Sequence, residues 1–100
     1  MTAPPTLPVE QAAEAHAQHI VRGDSAALLQ DCIAQMRQEP VDLYAQLRAA
    51  TFARYAVLGH AKIGFHHIFK IRYFGATTVT LHHRIGAVDG QWRVLESEHV

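Results

Sequence analysis

Histidine and carboxylate side chains in the C-terminal third are where this sequence could do chemistry. His67, His83 and Glu96 fall in three successive strand-like stretches, "GFHHIFKIRYF", "TTVTLHHRI" and "QWRVLESEHV". Imidazole titrates near neutral pH, so two of them can shuttle protons, and an adjacent carboxylate fixes a tautomer and raises the pKa. Two histidines and one carboxylate are also a ligand set for zinc or non-haem iron. A third reading keeps the trio structural, as partly buried sheet histidines with Glu96 as a hydrogen-bond partner.

Strand alternation decides whether the three can meet. In the first stretch Phe65, His67, Phe69, Ile71 and Tyr73 share one face, and in the second Val79, Leu81, His83 and Ile85 do. A three-residue loop at Phe74-Gly75-Ala76 sets Phe69 opposite Leu81 and His67 opposite His83. A two-residue Asp89-Gly90 turn sets Val88 opposite Gln91, Ile85 opposite Val94 and His83 opposite Glu96. The expected result is a row, His67–His83–Glu96, on the face that carries Phe69, Tyr73, Leu81 and Trp92 as pocket lining. A one-residue slip in either hairpin would dissolve it.

Other candidates are weaker. His16 and His19 are three apart, a spacing that suits metal ligands but is also ordinary helical neighbourhood. Cys32, the only cysteine, follows Asp31 within an apolar stripe and reads as a packed thiol. Gly59 and Gly64 lack the Lys-Ser/Thr of a phosphate loop, there is no nucleophile elbow, and no cofactor is called for.

The elements that must position these residues follow from punctuation. "MTAPPTLP" reads as a disordered lead-in over residues 1–7, and residues 8–100 as one domain. Pro8 and Gly23 bracket a helix with Val9, Ala12, Ala13, Ala17, Ile20 and Val21 as its stripe. Asp24 or Ser25 caps a second, with Leu28, Leu29, Cys32, Ile33 and Met36 on one face, stopping before Pro40. A third begins at Asp42. Residues 52–63 fit either a helix or a strand, the strand being favoured from about Tyr55. Helices first and an antiparallel meander after them predict an α+β fold: two or three N-terminal helices on a curved three- to four-stranded sheet.

Composition narrows the partners. Nine Lys+Arg balance nine Asp+Glu with no basic run, which argues against nucleic acid. No stretch is long and apolar enough to cross a bilayer, and the N-terminus has neither a basic nor an apolar leader region. With one cysteine and no disulfide framework, the expected compartment is the cytoplasm. The outward positions Ile68, His66, His82, Arg84 and Leu95 suit a homodimer through the outer sheet face.

The segments "AQHIVRGDSAALLQD" and "VDGQWRVLESEHV" together resemble the nuclear transport factor 2-like superfamily across residues 8–99. Its members often carry a "GD" between their first two helices and a "DGxWRV" hairpin before the last strand. The resemblance implies a cystatin-like cone with a pocket at its open end and a sheet-to-sheet dimer. No catalytic Asp or Tyr of the family's isomerases matches a position here, so none is carried over. The expectation is therefore a small-molecule-binding or scaffolding domain with an apolar pocket on the concave face, binding a small apolar ligand. The alternatives are an isomerase or dehydratase, with His83 as base, Glu96 as its orienter and His67 as acid, or a His/Glu metal-binding protein.

Overall fold

The computed structural model describes residues 7–33 and 51–100. In chain order these form α1 (Val9–Arg22), α2 (Ser25–Gln30), β1 (Phe52–Ile63), β2 (His66–Gly75), β3 (Val79–Val88) and β4 (Gln91–His99). The four strands make one antiparallel sheet in sequence order, β1-β2-β3-β4.

Helix α1 forms where its signals stand. Pro8 precedes it with φ already at −59°, Glu10 lies in the first turn, and His19 and Arg22 lie in the last, matching the helix dipole. Gly23 ends it at φ 68°, a conformation that costs glycine nothing. Its N–H donates to the Ile20 carbonyl and that of Asp24 to the His19 carbonyl, both at 3.1 Å, so the last carbonyls are satisfied. Asp24 then caps α2, its Oδ1 accepting the Ala27 N–H at 3.1 Å.

Two sequence expectations are corrected here. The fold is one main helix and a dominant four-stranded sheet, not two or three helices on a sheet. Helix α2 has six residues and stops at Gln30. Beyond it the backbone leaves the helix to bond with β4: the Val94 N–H donates to the Asp31 carbonyl at 2.7 Å, and the Ile33 N–H to the Val94 carbonyl at 3.1 Å. Sheet bonds replace the helical ones, so the stripe expected to run on through Ile33 is not a helix face. Residues 52–63 are strand throughout. The helix expected from Asp42 and the position of Met36 lie outside the described residues. No described helix is long and apolar enough to cross a membrane.

Register is the second correction. In the first hairpin Phe69 faces His83, Ile71 faces Leu81 and His67 faces Ile85, two residues away from the expected pairing. A shift of two keeps every side chain on its face, so alternation alone could not detect it. The second hairpin begins as its Asp-Gly turn dictates, with Asp89 at φ 50° and Gly90 at φ 77°, Val88 facing Gln91 and Ile85 facing Val94. A bulge then leaves Leu95 unpaired, so that Arg84 faces Glu96 and His83 faces Ser97.

The core lies between α1 and the inner sheet face. Val9, Ala13, Ala17 and Ile20 meet Phe69, Ile71, Tyr73, Leu81, Ile85 and Val94, with Leu28, Cys32 and Phe52 around them. Burial of each large member contributes roughly 1.5–3 kcal/mol. Three positions expected to line an open pocket, Phe69, Tyr73 and Leu81, are core residues at 2% exposure or less, and Trp92 packs half-buried beside them. The opposite face differs: Ile68, Lys70, Arg72, Thr80, His82 and Arg84 are each only half-buried.

Candidate functional site

The inner face buries a polar network at the centre of this apolar core. His83 has no exposed surface. Its Nε2 lies 2.8 Å from the Tyr73 hydroxyl and its Nδ1 2.6 Å from the Ser97 hydroxyl. A neutral imidazole carries one donor and one acceptor, and two hydroxyls can satisfy both. The bulge at Leu95 is what makes this pairing: without it Glu96 would face His83, and a carboxylate would be buried where Ser97 now sits.

Helix α1 supplies the second half. His16 is 1% exposed and meets the His83 ring edge-on, with centroids 4.9 Å apart. Its Nδ1 is 2.9 Å from Asp31 Oδ2, and His19 Nδ1 reaches the same oxygen at 2.6 Å. The tight Gly23–Asp24 turn brings this about, because it folds the end of α2 back along α1. Asp31 lies as far after that turn as His16 lies before it. Asp31 and His19 are about a quarter exposed and form the solvent-facing end of the network.

Electrostatics follow from burial and partners. Burial, with the nearby His16 and His82, holds the His83 pKa well below its usual value, so the ring is neutral at physiological pH. Burial also pushes the Tyr73 phenol upward, with Tyr55 adding to it. Burial alone would raise the Asp31 carboxyl, but hydrogen bonds from His16 and His19 outweigh it and hold the group below its ordinary range. The arrangement can pass a proton among hydroxyl, imidazole and hydroxyl while excluding water from His83.

The three residues expected to form a row are not brought together. His83 is central, but His67 sits further along the inner face, its Nδ1 2.8 Å from His60 Nε2 and its ring edge-on to Trp92 at 5.5 Å. Glu96 points to the outer face, 3.9 Å from Arg84 Nε. The two-histidine, one-carboxylate metal set of the sequence reading is dissolved with the row. His16 and His19 share Asp31 as partner. Sequence reasoning missed Ser97 because a bulge leaves no trace in alternation. It placed Tyr73 on the right face without seeing its hydroxyl's partner. Asp31 was legible in principle, through the symmetry of the helical turn.

No family model matches the chain, and no curated protein does. Among solved structures the chain is similar to the solution structure of a SEC-C motif containing protein from Rhodopseudomonas palustris, with a TM-score of 0.57 and 19% identity. The likeness covers 83% of this chain and 71% of that one. At that identity it speaks to fold alone. Together with the single main helix, it overturns the resemblance to the nuclear transport factor 2-like superfamily and its cystatin-like cone.

Proposed function

We propose that the chain is a scaffolding domain that works as a homodimer through its outer sheet face. The observation that supports this most is the composition of that face. Leu95 at the bulge and the His66 ring close over Gly86, where a Cβ would lie 2.8 Å from Leu95 Cδ1 and 3.1 Å from the His66 ring, and Ile68 is the next outward residue on β2. Around this apolar centre Lys70 and Arg72 are basic on β2, with Arg84 on β3 and Arg93 on β4, while Glu96 and Glu98 are acidic on β4, Glu96 lying 3.9 Å from Arg84 Nε. A two-fold axis parallel to the strands would lay one copy's acidic residues over the other's basic ones. An isologous contact needs such self-complementarity.

Size allows the reading only at the lower end. Four strands about 4.8 Å apart and about 33 Å long give a face of roughly 600 Å². A standard interface buries about 600–1,000 Å² per partner. The close packing of Phe69, Tyr73 and Leu81 beneath α1 favours the scaffolding half of the expectation over a small apolar ligand on the inner face. Full burial of His83 likewise favours a structural network over proton transfer to a substrate. A cytoplasmic setting belongs to this proposal, in keeping with a single buried cysteine.

Sedimentation equilibrium tests it. The wild-type chain is expected to run as a dimer at micromolar concentration, and Ile68→Glu as a monomer with unchanged far-UV circular dichroism. A wild-type chain that stays monomeric at 100-fold higher concentration would remove the reading.

A further inference from the structure

A second histidine pair lies apart from the buried network, at the end of the inner face where β1 and β2 run beyond the core. His60 Nε2 and His67 Nδ1 are 2.8 Å apart. Each ring is held by an aromatic neighbour: His60 stacks on Phe69 with centroids 4.0 Å apart at 14°, and His67 stands edge-on to Trp92. Behind His60, its other ring nitrogen lies 3.7 Å from the Glu10 carboxylate at the start of α1.

We propose that His60 and His67 form a two-histidine site for a divalent transition-metal cation of the copper or zinc class, with Glu10 orienting His60. Geometry carries the assignment. Metal–nitrogen bonds of about 2.0–2.1 Å place two ligands about 2.9 Å apart at right angles and about 3.3 Å apart in a tetrahedron. The observed separation is close to the first, the cis positions of a tetragonal ion. In the metal-free chain the contact is a hydrogen bond, and each ring must turn by roughly 45° for both lone pairs to meet at the cation that replaces the shared proton.

The surroundings fit a ligand pair. A metal-bound histidine ordinarily donates its second N–H to a carboxylate, and Glu10 faces Nδ1 while Nε2 faces His67. Stacking on Phe69 and contact with Trp92 keep the two rings side by side before any ion arrives. Lys62, opposite His67 across β1 and β2, opposes a cation, and Glu10 offsets it. Among the described residues no third His, Cys, Asp or Glu joins the pair around one point, so water or an incoming ligand completes the coordination.

Trp92 is the only tryptophan in the chain and provides the readout. Cu²⁺ bound at His67 should quench its fluorescence. In the full, metal-free chain at pH 7.5, Cu²⁺ titration is expected to give a saturable quench that a chelator such as EDTA reverses. His60→Gln and His67→Gln should each raise the half-quench concentration at least tenfold, and Glu10→Gln about tenfold. His82→Gln, on the opposite face, should leave it unchanged. No quench at a large excess of Cu²⁺, or the same midpoint in the two histidine variants with circular dichroism intact, would overturn the site.

Discussion

A neutral imidazole at zero exposure makes His83 the residue on which stability depends most directly on pH. In the unfolded chain it takes up a proton near pH 6.5, whereas in the fold burial holds its pKa well below that value. The unfolded state therefore binds more protons across that interval. His83's stabilising contribution is complete above pH 6.5 and is lost as pH falls toward the folded pKa. At pH 5.5 the loss relative to pH 7.5 is on the order of 1 kcal/mol, by that linkage. Asp31 has the same sign, but its contribution is lost only as pH falls below its ordinary value of 3.8, outside this range. Urea midpoints at pH 7.5 and 5.5 should show the fall in the wild-type chain and a flatter response in His83→Gln. An unchanged wild-type midpoint would mean that the ring is charged, or reached by water, in the folded state. That variant also takes the imidazole partner from the buried Tyr73 hydroxyl, so at pH 7.5 it should already be less stable by about 1–3 kcal/mol.

Elements were legible wherever one local rule decided them. Pro8, Gly23 and Asp24 mark a helix, its end and the next cap, and the Asp89-Gly90 turn sets the start of the last hairpin. Register was not legible, because a two-residue shift leaves the alternation of Phe69, Ile71 and Tyr73 unchanged, and because the Leu95 bulge answers to what His83 needs as a partner. The short α2 was lost for a similar reason, its continuation being drawn off by hydrogen bonds to β4. Close backbone approach is another property that no pattern shows. A Cβ on Gly75 would lie 2.2 Å from the Thr51 carbonyl oxygen and 3.2 Å from Phe52 Cα, where β1 begins beside the end of β2. Backbone cannot rotate away, so Gly75→Ala should cost about 3 kcal/mol or more. Gly86→Ala meets only side-chain atoms, Leu95 Cδ1 at 2.8 Å and the His66 ring at 3.1 Å, and should cost about 1 kcal/mol. Thermal denaturation of the two variants side by side tests the order, and equal losses would mean that the Thr51–Gly75 approach is relaxed in solution.

Across the whole molecule the sheet has two unlike faces, and the difference carries the functional argument. Both helices contribute to the inner-face core, which spends its polar groups on itself, in the chain from Tyr73 through His83 to Ser97 and in the clasp of Asp31 by His16 and His19. The outer face keeps its charges at the surface around Ile68 and Leu95, basic at Lys70, Arg72, Arg84 and Arg93 and acidic at Glu96 and Glu98. If a second copy covers it, the affinity has an apolar part that salt does not weaken and an electrostatic part that it does. Screening shortens from about 10 Å at 0.1 M salt to about 3 Å at 1 M. Exposed ion pairs contribute about 0.2–1 kcal/mol each. Losing one such pair and its two-fold copy, at about 0.5 kcal/mol each, should weaken the dimer roughly fivefold over that range, read as a rise in dissociation constant by sedimentation equilibrium. The double charge reversal Glu96→Lys with Glu98→Lys should weaken it further at 0.1 M and reverse the salt dependence, because like charges then face each other and salt screens their repulsion. A dimer that tightens with salt in the wild-type chain would place the apolar centre alone in charge of assembly, and the charged residues would then be a solvated rim.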